Sequence, residues 1–270
     1  ASYAAWVRLA QAGMPAIWLD ASELNTYASA LITPRTILWM ISNSGKIIEM
    51  TRILNRRQEL GSPFILANTN YEESPLGQAA DLIVPIHTGN DITLATRSYL
   101  GTLAVTQLMA LNLAGKTVEK EVEDLYYTGE GLDNYLKDLD WHIENLDQAI
   151  GEVKQLAILG RGASYATALE GALCFKEGPK LYVEGQTTGQ FWHGMVELAN
   201  PDFSLLMMAG EEATQKEDEF LAAKAARLGM KVFWFSNTIS EQVPTIMLPK
   251  NRGIGLTLAE IVPIQLISIN

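Results

Sequence analysis

Two copies of the tetrapeptide Ala-Ser-Tyr-Ala, at residues 1–4 and 163–166, open two similar stretches of this chain. Each copy enters an alanine-rich segment of helical pattern, and short apolar runs and further helical segments then follow in the same order. Self-similarity at a fixed spacing is the signature of a repeated structural unit. Short apolar runs that alternate with helices predict parallel strands covered by helices on both faces. The sequence therefore predicts two tandem α/β units.

The predicted strands and helices pair off between the two halves. One predicted helix in each half ends at a glycine, 47–60 at Gly61 in the first and 220–228 at Gly229 in the second. One strand, 156–159, precedes the second tetrapeptide and has no counterpart before the first. The paired strands are 16–19 with 181–184, 36–41 with 203–208, 64–67 with 232–236 and 82–85 with 246–249.

The repeat divides the chain into three parts. We predict a first α/β domain at residues 1–113, an acidic helical segment at 114–152, and a second α/β domain at 153–270. The acids of the middle segment are typical of a solvated helix face, so we assign it no chemistry. The first domain lacks a leading strand and the chain ends within a helical pattern. We therefore expect that an N-terminal strand and a C-terminal tail are missing.

Composition limits the possible partners. With 48% hydrophobic and 19% charged residues, this chain of 270 residues can build a sizeable core, and it has no apolar run of about 18 residues that could span a membrane. A formal net charge of −11 argues against nucleic acid and anionic membranes as partners. The single cysteine excludes an intrachain disulfide and favours a cytoplasmic protein. The histidines and the cysteine show no metal-ligand spacing, so we expect no metal and no cofactor.

A polar turn, Ser42-Asn43-Ser44-Gly45, follows the predicted strand 36–41 and precedes a helix. Serines at such a place often cap the helix, which is the structural alternative. Hydroxyls and backbone N–H groups at the carboxyl end of a parallel strand also bind phosphate. No dinucleotide fingerprint occurs at this turn and no P-loop motif occurs in the chain, which favours a phosphosugar or similar small ester. A further polar cluster, 93–98, could add a hydroxyl.

The second candidate site follows the strand 156–159. The glycine-rich turn 160–164 leads into a predicted helix, 165–177, and aims N–H groups at one point, which suits an anion. Glu170 and Glu177 are seven residues apart and so lie on nearly the same helix face. Desolvation among apolar neighbours would raise a carboxyl pKa toward that of a proton-transfer base. The pattern favours a solvated, purely structural position for Glu170. For Glu177 it leaves open both such a position and that of a desolvated proton-transfer base.

At this point the chain resembles a known family. It is similar to the sugar isomerase (SIS) domains of glucosamine-6-phosphate synthase. The similarity rests on the paired α/β units, the SNSG turn, the segment GNDITLATRSYLGT and above all GRGASYATALEGALCFKEG with GQFWHG. Shorter relatives with the same tandem include fructosamine-6-phosphate deglycases. The resemblance covers nearly the whole chain. It implies two tandem flavodoxin-like, three-layer α/β/α sandwiches with parallel sheets, and a homodimer or higher oligomer with the active site near the subunit interface.

The resemblance also implies roles for single residues. Glu177 matches the base that moves a proton between C1 and C2 of the sugar, and His193 matches the histidine that assists ring opening, from the same or a partner subunit. Asp91 stands where the family usually has Glu, and Gly162 and Ser164 are further candidates. The residues implied in holding the phosphate and the sugar are Ser2, Ser42, Asn43, Ser44 and Thr96.

Several positions depart from the family. Ile47 replaces a phosphate-binding Thr, Cys174 and Ser98 each replace a Lys, and the family's C-terminal Lys has no counterpart. The glutamine-hydrolysing domain of the synthase is absent from this sequence, and Cys174 lies inside a helix. Ammonia from glutamine is therefore not produced within this sequence, which favours the breakdown direction over synthesis.

Together these features predict an isomerase-type enzyme of amino sugar metabolism. Its substrate would be a 6-phosphorylated amino sugar or a sugar-amine conjugate, and the reaction an aldose–ketose isomerisation with deamination or deglycation. The alternative is a non-catalytic sensor that binds a phosphosugar and regulates a partner. A sensor would keep the serine turn and lose Glu177 or His193. Both are present here, which favours catalysis.

Overall fold

The computed structural model describes residues 1–89, 91 and 94–269. The strands are β1 Ile37–Ile41, β2 Phe64–Asn68, β3 Leu82–Ile83, β4 Gln155–Gly160, β5 Val183–Thr187, β6 Phe203–Met208, β7 Lys231–Ser236 and β8 Thr245–Met247. The α-helices are α1 Ser2–Gln11, α2 Ala21–Thr26, α3 Ile48–Asn55, α4 Pro75–Ala79, α5 Arg97–Leu113, α6 Glu119–Leu136, α7 Leu139–Ile150, α8 Ser164–Glu177, α9 Thr188–Trp192, α10 Glu212–Arg227 and α11 Leu256–Ser268.

These elements divide into two compact units. The smaller unit is Pro15–Thr106 together with Ser2, and the larger unit is Tyr3–Met14 and Gln107–Asn270 together with Ala1. The predicted domains 1–113, 114–152 and 153–270 remain a prediction. Within the described residues, the segment 114–152 contains the helices α6 and α7.

The larger unit holds a five-stranded, wholly parallel sheet of order β5-β4-β6-β7-β8. This is the flavodoxin-like order, with its switch point between β4 and β6. Every residue of β6 is buried, as expected of a parallel strand that is covered on both faces. One face of the sheet packs on α10, where alanines meet Leu205 and Met207. On the other face, the side chain of Ile158 lies against Gly171 of α8.

The smaller unit holds a parallel sheet of order β1-β2-β3, in which Ile37 pairs with Phe64 and Ile41 with Asn68. Its core joins these strands to α3 through Ile53 and to α4 through Leu76. The predicted parallel α/β class is therefore confirmed.

The predicted strand 16–19 is wrong. These residues take no regular secondary structure and belong to neither sheet, and Ile17 is 69% exposed. The counterpart of this segment in the larger unit is β5, which pairs with β4. The described sheet of the smaller unit has no counterpart of β4, so it offers no neighbour on which such a strand could form.

Other boundaries also differ from the prediction, as two examples show. The strand predicted at 181–184 runs over Val183–Thr187 instead, and the helix predicted at 47–60 is helical only over Ile48–Asn55. Among the described residues, no helix is both long enough and apolar enough to cross a membrane.

Candidate functional site

The predicted phosphate turn leaves the carboxyl end of β1. Ser42 is only 4% exposed, and its Oγ accepts a hydrogen bond from the N–H of Gly45 at 3.1 Å. The Oγ of Ser44 accepts from the N–H of Lys46 at 3.3 Å. Helix α3 begins after Ile47, and no side chain caps it. The serines therefore shape the turn itself and do not act as the helix cap, which was the structural alternative.

The loop after β2 holds this turn in place. The carbonyl oxygen of Asn43 accepts from the N–H of Asn70 at 3.0 Å and from the hydroxyl of Thr69 at 3.1 Å. Gly45 has a φ of +63°, and a Cβ there would lie 2.0 Å from the Oγ of Ser74, so no other residue fits without a shift. The loops after β1 and β2 thus form one bonded polar ledge, on which Asn43 is exposed.

The other predicted sugar-binding side chains of the smaller unit are engaged locally. The Oγ of Ser2 accepts from the indole N–H of Trp18 at 3.0 Å. Thr96 donates its hydroxyl to Asp91, which also accepts from the N–H of Arg97 at 3.0 Å, at the start of α5. Burial acts to raise the pKa of Asp91, but these bonds and those of Ser98 outweigh it and hold the pKa below its ordinary value. Within the cluster 93–98, residue 93 lies outside the described residues.

The structure leaves both predicted catalytic side chains exposed. Glu177 is the last residue of α8, and its carbonyl oxygen accepts from the ammonium group of Lys180 at 2.7 Å. His193 follows α9, and its N–H donates to the carbonyl oxygen of Gln190 at 3.1 Å. The apolar surroundings that we considered for Glu177 are therefore not present in the single chain.

Glu170, and not Glu177, has the partly desolvated environment that the sequence analysis left open for Glu177. It is half-buried, and burial foremost raises its pKa to about 7, with the charge of Glu177 acting in the same direction and the amine of Ala1 against it. Cys174 lies one turn further along the helix, and burial followed by these two carboxylates raises its thiol pKa to about 12. The three side chains form one face of α8, which we call the acidic face.

The glycine-rich turn before α8 is bonded within the fold. Ser164 is 1% exposed and donates its hydroxyl to Glu260 at 2.8 Å. Arg161 lies 2.7 Å from the carboxylate of the buried Asp218 and 3.0 Å from that of Glu217. Gly162 has a φ of +52°, and its carbonyl oxygen accepts from the N–H of Tyr165. A ligand at this turn would have to compete with these bonds, and the roles of Gly162 and Ser164 remain predictions.

The sequence analysis did not identify Glu260. This carboxyl group is 0% exposed, and burial raises its pKa to about 7 against the hydrogen bonds from Ser164 and Thr167. A signal was available, because Glu260 is a lone acid in the apolar segment 256–268. Such an acid needs a polar partner.

The described residues contain no group of three or more His, Cys, Asp or Glu placed to hold a metal ion. Two surface cavities, of about 440 and 590 Å³, lie away from the predicted site residues. The smaller is lined by the segments 29–34 and 59–61, and the larger by α6 with Leu108.

Known proteins are similar to this chain over part or nearly all of its length. Residues 149–269 match the family model of the SIS domain. Glutamine–fructose-6-phosphate aminotransferase (isomerizing) of Yersinia pestis is 28% identical over 269 residues, which cover 95% of this chain and 44% of that protein. The enzyme of the same name from Bartonella quintana is 30% identical over 262 residues, which cover 92% of this chain and 43% of that enzyme. The chain therefore spans less than half the length of these relatives.

Solved structures share the fold. The C-terminal domain of glucosamine-fructose-6-phosphate aminotransferase from Francisella tularensis has a TM-score of 0.85 at 17% identity, covering 98% of this chain and 79% of that one. Tagatose-6-phosphate ketose/aldose isomerase from Escherichia coli has a TM-score of 0.79 at 20% identity, and the match covers 98% of this chain and 76% of that one. Residues 149–269 thus match the SIS domain family, and the chain is similar in sequence to glutamine–fructose-6-phosphate aminotransferases and in fold to the C-terminal domain of one such enzyme.

Proposed function

We propose that this chain binds a small 6-phosphorylated sugar and moves a proton between its C1 and C2 carbons. The observation that carries the proposal is the acidic face of α8. There Glu170, with a pKa near 7, lies two helical turns from Glu177. A carboxyl group that changes protonation near neutral pH is suited to general acid–base catalysis. The homology to the isomerase domain supports the same class of reaction.

The polar ledge would hold the phosphate. Asn43 and Ser44 are exposed at the carboxyl end of β1, where ligands of parallel α/β sheets commonly bind. The hydrogen bonds to the loop after β2 fix the backbone before a ligand arrives, which lowers the entropy lost on binding. Binding the phosphate away from the reacting carbons turns binding energy into alignment.

We propose the following steps for a ketose. The carboxylate of Glu177 removes a proton from C1, and Glu170 donates a proton to the carbonyl oxygen at C2, so that an enediol forms. Glu177 then returns its proton to C2, and Glu170 takes back the proton of the C1 hydroxyl, which leaves an aldehyde at C1. His193 would assist the ring opening that precedes these steps.

An amine at C1 or C2 would pass through the corresponding enamine. We therefore include 6-phosphorylated amino sugars and sugar-amine conjugates among the substrates, with deamination or deglycation as the outcome. The assembly would be a homodimer or higher oligomer located in the cytoplasm.

We also propose that the chain is an internal duplication. The order β1-β2-β3 in the smaller sheet repeats the order β6-β7-β8 in the larger one. Within the larger unit, Tyr3 and Tyr165 of the two matched tetrapeptides stack edge to face with their ring centroids 4.8 Å apart. The two tetrapeptides of the repeat thus pack on each other through these tyrosines, within one unit.

One observation favours a sensor as the second candidate. Glu177 and His193 are both exposed, and Cys174 stands where the resembling family has a lysine. A chain with this face could bind a phosphosugar without converting it.

Calorimetry and turnover assays separate these functions. We expect fructose 6-phosphate and glucosamine 6-phosphate to bind, and the unphosphorylated sugars to bind at least tenfold more weakly. Ser44→Ala should weaken binding about tenfold, while the control Ser29→Ala, in the same unit, should leave it unchanged. The absence of saturable binding would refute the phosphosugar assignment. Binding without turnover of any 6-phosphorylated ketose or amino sugar would establish the sensor.

A further inference from the structure

Glu260 has no exposed surface and is the one acidic residue of α11, whose other residues are mostly apolar and none of them charged. Removing a carboxylate from water is unfavourable unless hydrogen bonds replace its hydration. An apolar side chain at this position would avoid that loss, because buried polar groups are often replaced by apolar ones without loss of stability. The stability of the fold alone therefore gives no reason for an acid here.

The contacts of this carboxyl group join three elements. One oxygen accepts from the hydroxyl of Ser164 at 2.8 Å, and the other from the hydroxyl of Thr167 at 3.1 Å. The backbone N–H of Gly210, just after β6, also donates to it. The charged group facing it from that loop is Glu211, which is itself paired with Arg8 at 2.5 Å.

Two of these donors belong to the first turn of α8. The rest of that helix is held mainly by apolar packing, such as Gly171 against Ile158 and Ile264. Apolar contacts are not directional, whereas hydrogen bonds prefer a narrow range of angles. The bonds from Ser164 and Thr167 therefore limit rotation of α8 about its own axis.

We propose that Glu260 is a positioning residue that fixes the rotation of α8 and thereby the direction in which its acidic face points. A helix turns as a unit, so a rotation at the first turn also displaces Glu170 and Glu177. The effect on catalysis rests on the proposed function, but the effect on the helix does not. Misplacement of a reacting group by about 1 Å can reduce a rate about a hundredfold.

The test removes the carboxyl group together with both of its hydroxyl donors, so that neither hydroxyl is left unsatisfied. The triple variant Ser164→Ala/Thr167→Val/Glu260→Met replaces the carboxyl and both hydroxyl donors by apolar groups of similar shape. Glu260→Gln keeps both bonds, since an amide can accept from one hydroxyl and donate to the other. Gln265→Met is the matched control, because it removes another buried polar side chain from α11.

Hydrogen exchange measures how firmly the first turns of α8 are held, independently of activity. We expect amides of residues 165–170 to exchange at least tenfold faster in the triple variant, with no change in Gln265→Met. We also expect kcat of the triple variant to fall tenfold to a hundredfold at unchanged KM, and kcat of Glu260→Gln to stay within about threefold.

Two results would overturn the inference. Unchanged exchange over 165–170 in the triple variant would show that the carboxyl group does not hold the helix. Faster exchange with unchanged kcat would show that the rotation of α8 has no catalytic consequence. If the wild-type protein turns over no phosphosugar, the proposed function fails, and the exchange measurement still decides whether Glu260 positions α8.

Discussion

Substituting Glu260 by Gln should change how stability depends on pH. The pKa of this carboxyl is about 7 in the folded protein, against an ordinary value of 4.5. Because the folded state holds the proton more tightly than the unfolded state, ionisation destabilises the fold. The contribution of the protonated group is therefore fully present below pH 4.5 and is lost as the pH rises toward 7.

The magnitude follows from the difference between the two pKa values. Each pKa unit corresponds to about 1.4 kcal/mol, so the free energy of unfolding of the wild type should fall by about 3 kcal/mol relative to Glu260→Gln between pH 4.5 and pH 8. Other groups that titrate in this range, such as Glu170, are present in both proteins and cancel in the difference.

Urea unfolding at several pH values measures this difference. Tryptophan fluorescence, to which the buried Trp234 of the larger unit contributes, reports the transition. Exposed Glu241 offers a control substitution, Glu241→Gln, in the same unit. If the difference between wild type and Glu260→Gln stays constant from pH 4.5 to pH 8, the burial argument for Glu260 is wrong.

Three further predictions concern other residues. Gly45→Ala should destabilise the smaller unit by about 2 kcal/mol or more in urea unfolding, because of its positive φ and its contact with Ser74; an unchanged midpoint would contradict the geometry of the ledge. Cys174 should react with iodoacetamide at pH 8 at least a hundredfold more slowly in the folded than in the unfolded protein, since its pKa is near 12, and equal rates would refute its burial. Turnover should decline as the pH rises through 7, where Glu170 loses its proton, and Glu170→Gln should lower turnover overall and remove this decline from the activity that remains; a decline retained in that variant would assign it to another group.

Much of the fold could be predicted because buried parallel strands leave a strong pattern. The predicted run 203–208 is strand β6 to the residue, and β4 and β7 differ from their predictions by one or two residues at the ends. The segment 16–19 has a similar apolar composition, yet it forms no strand. A strand depends on a neighbour elsewhere in the chain, which local composition does not report.

The site could be predicted only in part, for a related reason. Spacing placed Glu170 and Glu177 on one face of α8, but it could not tell which of them is covered by the rest of the fold. Glu260 lies 96 residues from Ser164, and no local pattern connects an acid to a hydroxyl at that distance. The sequence indicated the kind of group at the site, whereas burial and long-range partners had to come from the structure.

Exchange of substrate hydrogen with solvent tests the central claim most directly. Proton NMR in deuterium oxide would follow fructose 6-phosphate with the wild-type protein and with Glu177→Gln. We predict that the wild type replaces a C1 proton of the ketose by deuterium, and that Glu177→Gln does so at least a hundredfold more slowly. No exchange above the protein-free rate, with fructose 6-phosphate shown to be bound, would contradict the account.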